Sequence, residues 1–556
     1  MDNLARVTRT LVGHFFRRFF DNDTLQVDGD TLTTVVRALA IVTAPGIAVA
    51  FRLVNQYPDP KWSYPRPPWA AVGDQYIFVL LSFVVMGAVS IFEWEMLFPD
   101  RLDFLVLSPL SVKPLQMLAA KAAALVGFLT LFLFASNIFG IVMLPALSRG
   151  DFFRQIYAHA AAVLLAGIFA AMLILAIGGV LLCVLDAARF RMASPILQMF
   201  SVMALALLVL EYVKAGDAMQ ALLSEPLGIA RWMPPVWFLG VYQYLLHGAA
   251  APAFAQPMTR YAIRATVAAA AIALMTYPLA WARMRKLAIE GSSRRRGQPS
   301  RWIVPLVHRL VRRPGERAVF HFIGQTIARN NRYQVYLAIY SGTGLALAIF
   351  YATTLQVNHG VLLPGLSNPG LHAALPLLLF WLIAGLRVAF AFPQNLSAGW
   401  VFRITGVYTG ECAAAARKWV FLYALGLISS VLVVLRAVSG DGRYLLIQAI
   451  CGLCIAVLLT DGFFLSQQTV PFNQPRMPGK TSLPLMLTLY LGVFPMFVSL
   501  TIVAEMQFEK HLSKLLLPAL IAIAIHTALT LLRRGPGEVE EEMEGYDGEF
   551  QLLGLS

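Results

Sequence analysis

Twelve runs of mostly apolar residues recur along the chain, each long enough to cross a bilayer. They are 34–54, 75–97, 115–143, 157–185, 195–214 and 261–283, then 335–356, 372–391, 419–437, 444–468, 484–504 and 515–532. A membrane helix needs about 20 such residues, because the hydrocarbon core is about 30 Å thick and each residue rises about 1.5 Å. Composition agrees: 58% of the 556 residues are hydrophobic and 13% are charged, against about 25% charged in soluble domains. These values exclude a soluble globular protein, a disordered chain and a nucleic-acid-binding domain. The expected fold class is an all-α polytopic membrane protein.

Charge sets the expected orientation. The net charge is +14, and in so apolar a chain basic residues mark cytoplasmic loops. With the N-terminus inside, inner segments carry 27 Lys and Arg and outer loops carry 9. Both termini are therefore expected in the cytoplasm. The first twenty residues hold four Arg and no signal-peptide pattern, so the spans themselves would target the protein.

The chain divides at a basic bridge. Residues 283–332 hold thirteen Lys and Arg against two acids, a polar stretch that reads as a cytoplasmic linker touching anionic lipid. Six spans lie on either side, so a repeat would be parallel rather than inverted. Expected regions are an amphipathic segment at 1–33, a first six-span half at 34–283, and a linker with a second amphipathic helix at 284–334. A second half at 335–532 and an acidic, disordered tail at 533–556 complete the chain. Weak internal similarity supports the repeat. Phe98-Pro99-Asp100-Arg101-Leu102 ends span 2 and Phe392-Pro393-Gln394-Asn395-Leu396 ends span 8. Span 3 is entered through Leu118-Ala119-Ala120-Lys121 and span 9 through Ala415-Ala416-Arg417-Lys418. Aromatic and basic residues mix at helical spacing in 14–20 and 320–329, as in helices that lie in the membrane interface.

Catalytic patterns are few. Gly479-Lys480-Thr481 ends like a phosphate-binding loop, but Gln474 stands at the upstream glycine position, so no ATP site is expected there. Cys451 and Cys454 form a C-x-x-C inside an apolar span and read as packing residues. No catalytic, metal or cofactor site is expected, and the chain is not expected to be an enzyme. Asp461, deep in span 10, is the main buried-charge candidate, since an intramembrane carboxylate is functional by default. Glu211, near the outer end of span 5, is a weaker one.

Two segments carry a resemblance. One is the loop 98–121, with its charged start Asp100-Arg101-Leu102-Asp103, its turn Ser108-Pro109-Leu110-Ser111 and its closing Lys121. The other is Trp232-Met233-Pro234-Pro235-Val236-Trp237 between spans 5 and 6. With the six-plus-six topology, they resemble the permease subunits of type-2 ABC exporters. The resemblance implies a fused permease of the bacterial inner membrane, with no cofactor of its own. Two copies of a separate cytoplasmic ATP-binding subunit would dock on its inner loops. It assigns ATPase coupling to Arg101, Asp103, Leu105 and Lys113 in the first half, and to Phe402, Arg403 and Glu411 in the second, whose loop departs from the family pattern. Apolar residues among charged ones in 98–114 would insert into a groove of that partner, with Arg101 and Asp103 setting orientation. An ion-coupled secondary carrier using Asp461, or a polytopic enzyme acting on lipids, are the alternatives.

Overall fold

The computed structural model describes residues 2–20, 31–54, 56–57, 67–98, 101–107, 109–110, 112–148, 150–215, 229–290, 309–358, 361–391, 409–465, 471–472 and 483–532. The fold is helical. Eleven helices among the described residues are long and apolar enough to cross a membrane. The twelfth expected span, 484–504, lies within a 28-residue helix, Leu483–Lys510. Large apolar side chains such as Val184, Val213, Leu274, Val434 and Leu520 are exposed on the helix surfaces. Such faces are stable against lipid tails and unstable against water.

The chain forms two compact units: Met1–Arg296 with Thr353–Ser367, and Gly297–Ala352 with Asn368–Ser556. In the first, α1 (Asp2–Phe20) precedes α2 (Thr31–Val54), α3 (Pro68–Phe92), α4 (Trp94–Leu97), α5 (Arg101–Leu107), α6 (Pro114–Leu147) and α7 (Phe152–Val184). Then come α8 (Ala187–Ala215), α9 (Pro234–His247) and α10 (Ala255–Glu290). Proline opens α3, α6 and α9, where its missing N–H costs no helical bond. A buried polar seam joins α3, α6 and α7: Ser82 Oγ donates to the Val163 carbonyl at 2.6 Å, and Asn137 Nδ2 donates to Ser82 Oγ at 3.0 Å. Hydrogen bonds of this kind hold helices together where lipid removes the hydrophobic drive. α9 sits in the core, with Phe238, Leu239 and Tyr242 fully buried. Gly240 lets it approach α10, since a Cβ there would collide with Met258. Arg283 Nη1 donates to the Leu182 carbonyl at 2.8 Å, so α10 caps the end of α7.

The second unit contains α11 (Pro314–Arg329), α12 (Asn331–Ala352), α13 (Asn368–Ala391), α14 (Thr409–Ser439), α15 (Gly442–Phe463), α16 (Leu483–Lys510) and α17 (Leu516–Leu532). α13 is buried on nearly every face. Phe380 meets Phe463, Phe494 and Phe497, and Phe390 meets Phe464 and Phe472.

Packing partners recur between the units. α1 packs on α6, as α11 packs on α14. α3 packs on α6, α7 and α8, as α13 packs on α14, α15 and α16. α7 packs on α10, as α15 packs on α17. A turn recurs as well. Gly150 has φ +126° and Gly440 has φ +67°, a region that favours glycine. Each precedes an aspartate N-cap: Asp151 Oδ1 accepts from Phe153 N at 3.1 Å, and Asp441 Oδ1 from Arg443 N at 2.9 Å. α9 lacks a counterpart among the described residues, since only a short turn, Leu512–Leu515, separates α16 from α17.

The expected span 335–356 is shorter than read from the sequence. α12 ends at Ala352, and Thr353–Asn358 pairs antiparallel with Val361–Leu366. Thr353, Thr354 and Val357 are β-branched and suit a strand. This hairpin belongs to the first unit, where Thr353 Oγ1 donates to Glu211 Oε1 at 3.4 Å.

Candidate functional site

The loop that closes span 2 folds into α5, a helix of 7 residues. Arg101 and Leu105 lie on it. Its Asp103 points inward and is buried. The carboxylate pairs with Arg18 of α1, and Lys121 Nζ of α6 lies 3.8 Å away. The Lys121 ammonium, 1% exposed, also sits 5.1 Å from the Phe15 ring centre and 5.2 Å from that of Phe19. A buried ammonium needs this combination of counter-charge and aromatic faces to offset its lost hydration. Phe104 packs edge-on against Trp281 at 4.9 Å, and Phe98 lies tilted against Tyr277 at 5.6 Å.

Of the expected coupling residues, Asp103 is the one found buried against Arg18 and Lys121. Its side chain is spent inside the chain, because the inward face of α5 must neutralise Lys121. Two apolar residues of this stretch are exposed: Val106, at 65%, and Leu110, at 55%, in the turn after α5. Lys113 is exposed at the start of α6, where its backbone N–H donates to Gln116 Oε1 at 3.1 Å.

In the second unit, Phe402 and Arg403 lie outside the described residues, as do Lys480 and the acidic tail. Glu411, half-buried in the first turn of α14, lies against Gly315 at the start of α11. Two turns further along α14, Lys418 Nζ meets Glu316 Oε2 of α11 at 2.5 Å. Lys121 and Lys418 are the two lysines that the sequence places at equivalent span entrances. In each unit the lysine meets an acid near the amphipathic helix.

Asp461 is buried, but not deep in a span. α15 stops at Phe463, where the Phe464 N–H turns back to the Thr460 carbonyl. The sequence reading overran because the residues that follow, Phe464 and Leu465, are also apolar. The carboxylate is paired, with His526 Nδ1 of α17 at 2.6 Å from Asp461 Oδ2. Cys451 and Cys454 are buried free thiols.

The other end of α15 holds a cluster that the sequence reading missed. His372 of α13 is buried. Its Nδ1 lies 3.2 Å from Glu505 Oε2, and its Nε2 lies 3.3 Å from Glu509 Oε2, both on α16. Gln448 of α15 donates through Nε2 to Glu505 Oε2. Tyr444 stands edge-on to the imidazole at 5.0 Å and donates to the Leu371 carbonyl at 2.9 Å. One signal was available: Glu505 and Glu509 are four residues apart and share a helix face. Ending span 11 at residue 504 put both in a loop.

The first unit buries a histidine as well. His159 of α7 is wedged between Phe78 and Tyr242, at ring distances of 5.4 and 5.6 Å. Glutamines 75 and 243 bond to each other beside it, and Tyr57 Oη donates to Asp74 Oδ2 at 2.8 Å. Among the described residues, no group of three or more His, Cys, Asp or Glu is placed to hold a metal ion. Comparison with protein-family models, curated proteins and solved structures finds no match to this chain.

Proposed function

We propose that the chain is the membrane permease of an ATP-driven exporter. It has twelve spans in two parallel six-span halves, each introduced by a helix lying in the membrane interface. Both termini lie in the cytoplasm of a bacterial inner membrane, and separate ATP-binding subunits supply the energy. The observation that carries this reading is α5. A short helix interrupts the route from α3 to α6, is pinned to α1 and α6 through Asp103, and exposes Val106, with Leu110 exposed in the turn that follows it. An apolar surface outside the spans, on an element tied to two others, suits a partner that pushes on the bundle. The recurring packing partners and the paired Gly-Asp turns support the two-half arrangement.

The test is recovery of an ATP-binding subunit with the tagged full-length chain. Val106→Asp and Leu110→Asp should leave folding intact, because both residues are exposed. Together they should lower recovery at least about tenfold, the effect of losing about 1.4 kcal/mol. Undiminished recovery sinks the docking role of α5.

A second reading, an ion-coupled carrier, rests on the acid–histidine pairs at the two ends of α15. On that reading the same purification recovers no ATP-binding subunit at all.

A further inference from the structure

The arrangement of Glu509, His372 and Glu505 requires one more proton than a neutral ring and two carboxylates supply. A neutral imidazole has one N–H and one lone pair. Here both ring nitrogens lie within hydrogen-bond distance of a carboxylate oxygen, at 3.2 and 3.3 Å. With a neutral ring and two carboxylates, one nitrogen lone pair would face an anionic oxygen, which is repulsive. Two arrangements remove that repulsion. An imidazolium can lie between two carboxylates, or a neutral ring can lie between a carboxylate and a carboxylic acid. Both hold two protons on three groups, and both have a net charge of −1. They differ only by the shift of one proton along a ring-nitrogen-to-oxygen hydrogen bond.

The two carboxyls differ in access. The Glu509 side chain is 55% exposed, whereas Glu505 is 1% exposed. Glu505 Oε1 and Gln448 Oε1 are buried acceptors with no hydrogen-bond partner. An anionic carboxylate so deeply buried is costly, and a proton on Glu505 removes that charge. Gln448 Nε2 also lies 3.4 Å from His372 Nδ1, so one amide holds the ring and the buried carboxylate in register. The ionisable groups acting on His372 are Glu505 and Glu509, both from α16. α15 adds Tyr444 and Cys451, on which the charge of Glu505 acts in turn. The interactions described for the ring include none with an ionisable group of α12 or α14.

We infer that Glu509, His372 and Glu505 form a proton relay that loads a buried carboxyl from the surface of the second unit. Glu509 takes a proton from water and passes it to Nε2. The ring releases its Nδ1 proton to Glu505 Oε2, and no other group is oxidised, reduced or cleaved. The Lys and Arg distribution assigns this end of the unit to the outside, so the proton would enter there. The relay does not depend on the source of energy for transport, and its test is separate from the recovery experiment.

The experiment uses the full-length chain in lipid nanodiscs. Infrared difference spectra between about pH 5 and pH 8, the range of histidine titration, report protonated carboxyls. Nitrogen-15 histidine spectra over the same range report doubly protonated rings. The extra proton should be found on Glu505 or on His372, and Glu505→Gln should remove that signal. Glu509→Gln, at an exposed position, should keep the signal but slow its appearance after a pH jump at least about tenfold, as expected when a positioned acid–base group is lost. Absence of both signals in the wild type, or their survival in Glu505→Gln, overturns the proton site. Equal pH-jump rates in the wild type and Glu509→Gln overturn the relay.

Discussion

Lys121 and Lys418 hold the same place in their units and are neutralised in different ways. In the first unit the acid comes from α5, which lies between spans, and α1 contributes a second base, Arg18. Lys121 and Asp103 are shut away while Arg18 keeps partial access to the surface, and two phenylalanine rings cover the ammonium. In the second unit the acid, Glu316, comes from α11 itself, and Lys418 remains 36% exposed. The lesson concerns what each pair fastens. Asp103 ties α5 to both α1 and α6, so a displacement of α5 uncovers a buried charge. Glu316 ties only α11 to α14, and water can reach the lysine if the pair opens.

Breaking the two pairs should therefore cost different amounts. Asp103→Ala removes the buried acid that lies against Lys121 and Arg18. The expected loss is about 3–5 kcal/mol, read as a large drop in the unfolding midpoint of the purified chain. A loss no greater than that of a surface substitution would show that Lys121 reaches water. Lys418→Ala leaves Glu316 largely buried but next to solvent, and the expected loss is about 1–2 kcal/mol. If Lys418→Ala destabilised as strongly as Asp103→Ala, the contrast between the pairs would collapse. The smallest expected effect tests what the units share. Asp151→Ala and Asp441→Ala each remove an N-cap from an equivalent helix, and each should cost about 1 kcal/mol. Unequal losses would mean that the repeated turn does not carry equal load.

The histidine clusters continue the comparison. In the first unit His159 is packed among Phe78 and Tyr242, with neutral amides nearby. In the second, His372 is bracketed by Glu505 and Glu509. The first cluster is filled by α9, an inserted helix that has no described counterpart in the second unit. Where α9 is missing, acids from α16 occupy the polar end of the bundle.

Much of this fold is legible in the sequence because lipid leaves few options. An apolar run of membrane length must be a helix, since no water is present to satisfy its backbone. The runs at 75–97, 157–185 and 372–391 need no tertiary information. The punctuation was legible too: Pro114, Pro234 and Pro314 stand where helices begin, for a reason local to the proline ring. The span ends were less so. Phe464 and Leu465 are apolar enough to prolong α15 in the sequence, yet the helix ends at Phe463, and α12 gives way at Ala352 to a β-hairpin.

The pairing of charges was beyond the sequence. Asp103 and Lys121 are separated by a turn, His372 and Glu505 by more than a hundred residues, and no local spacing announces either contact. A carboxylate in a loop looks solvated until the fold supplies a buried ammonium for it. The sequence by itself determined that the chain is a bundle of membrane-length helices in two stretches divided by a basic bridge, because hydrophobicity and proline act through nearest neighbours. Only the tertiary structure decided which charges are buried and what answers them, because a Coulomb partner is chosen by distance in space.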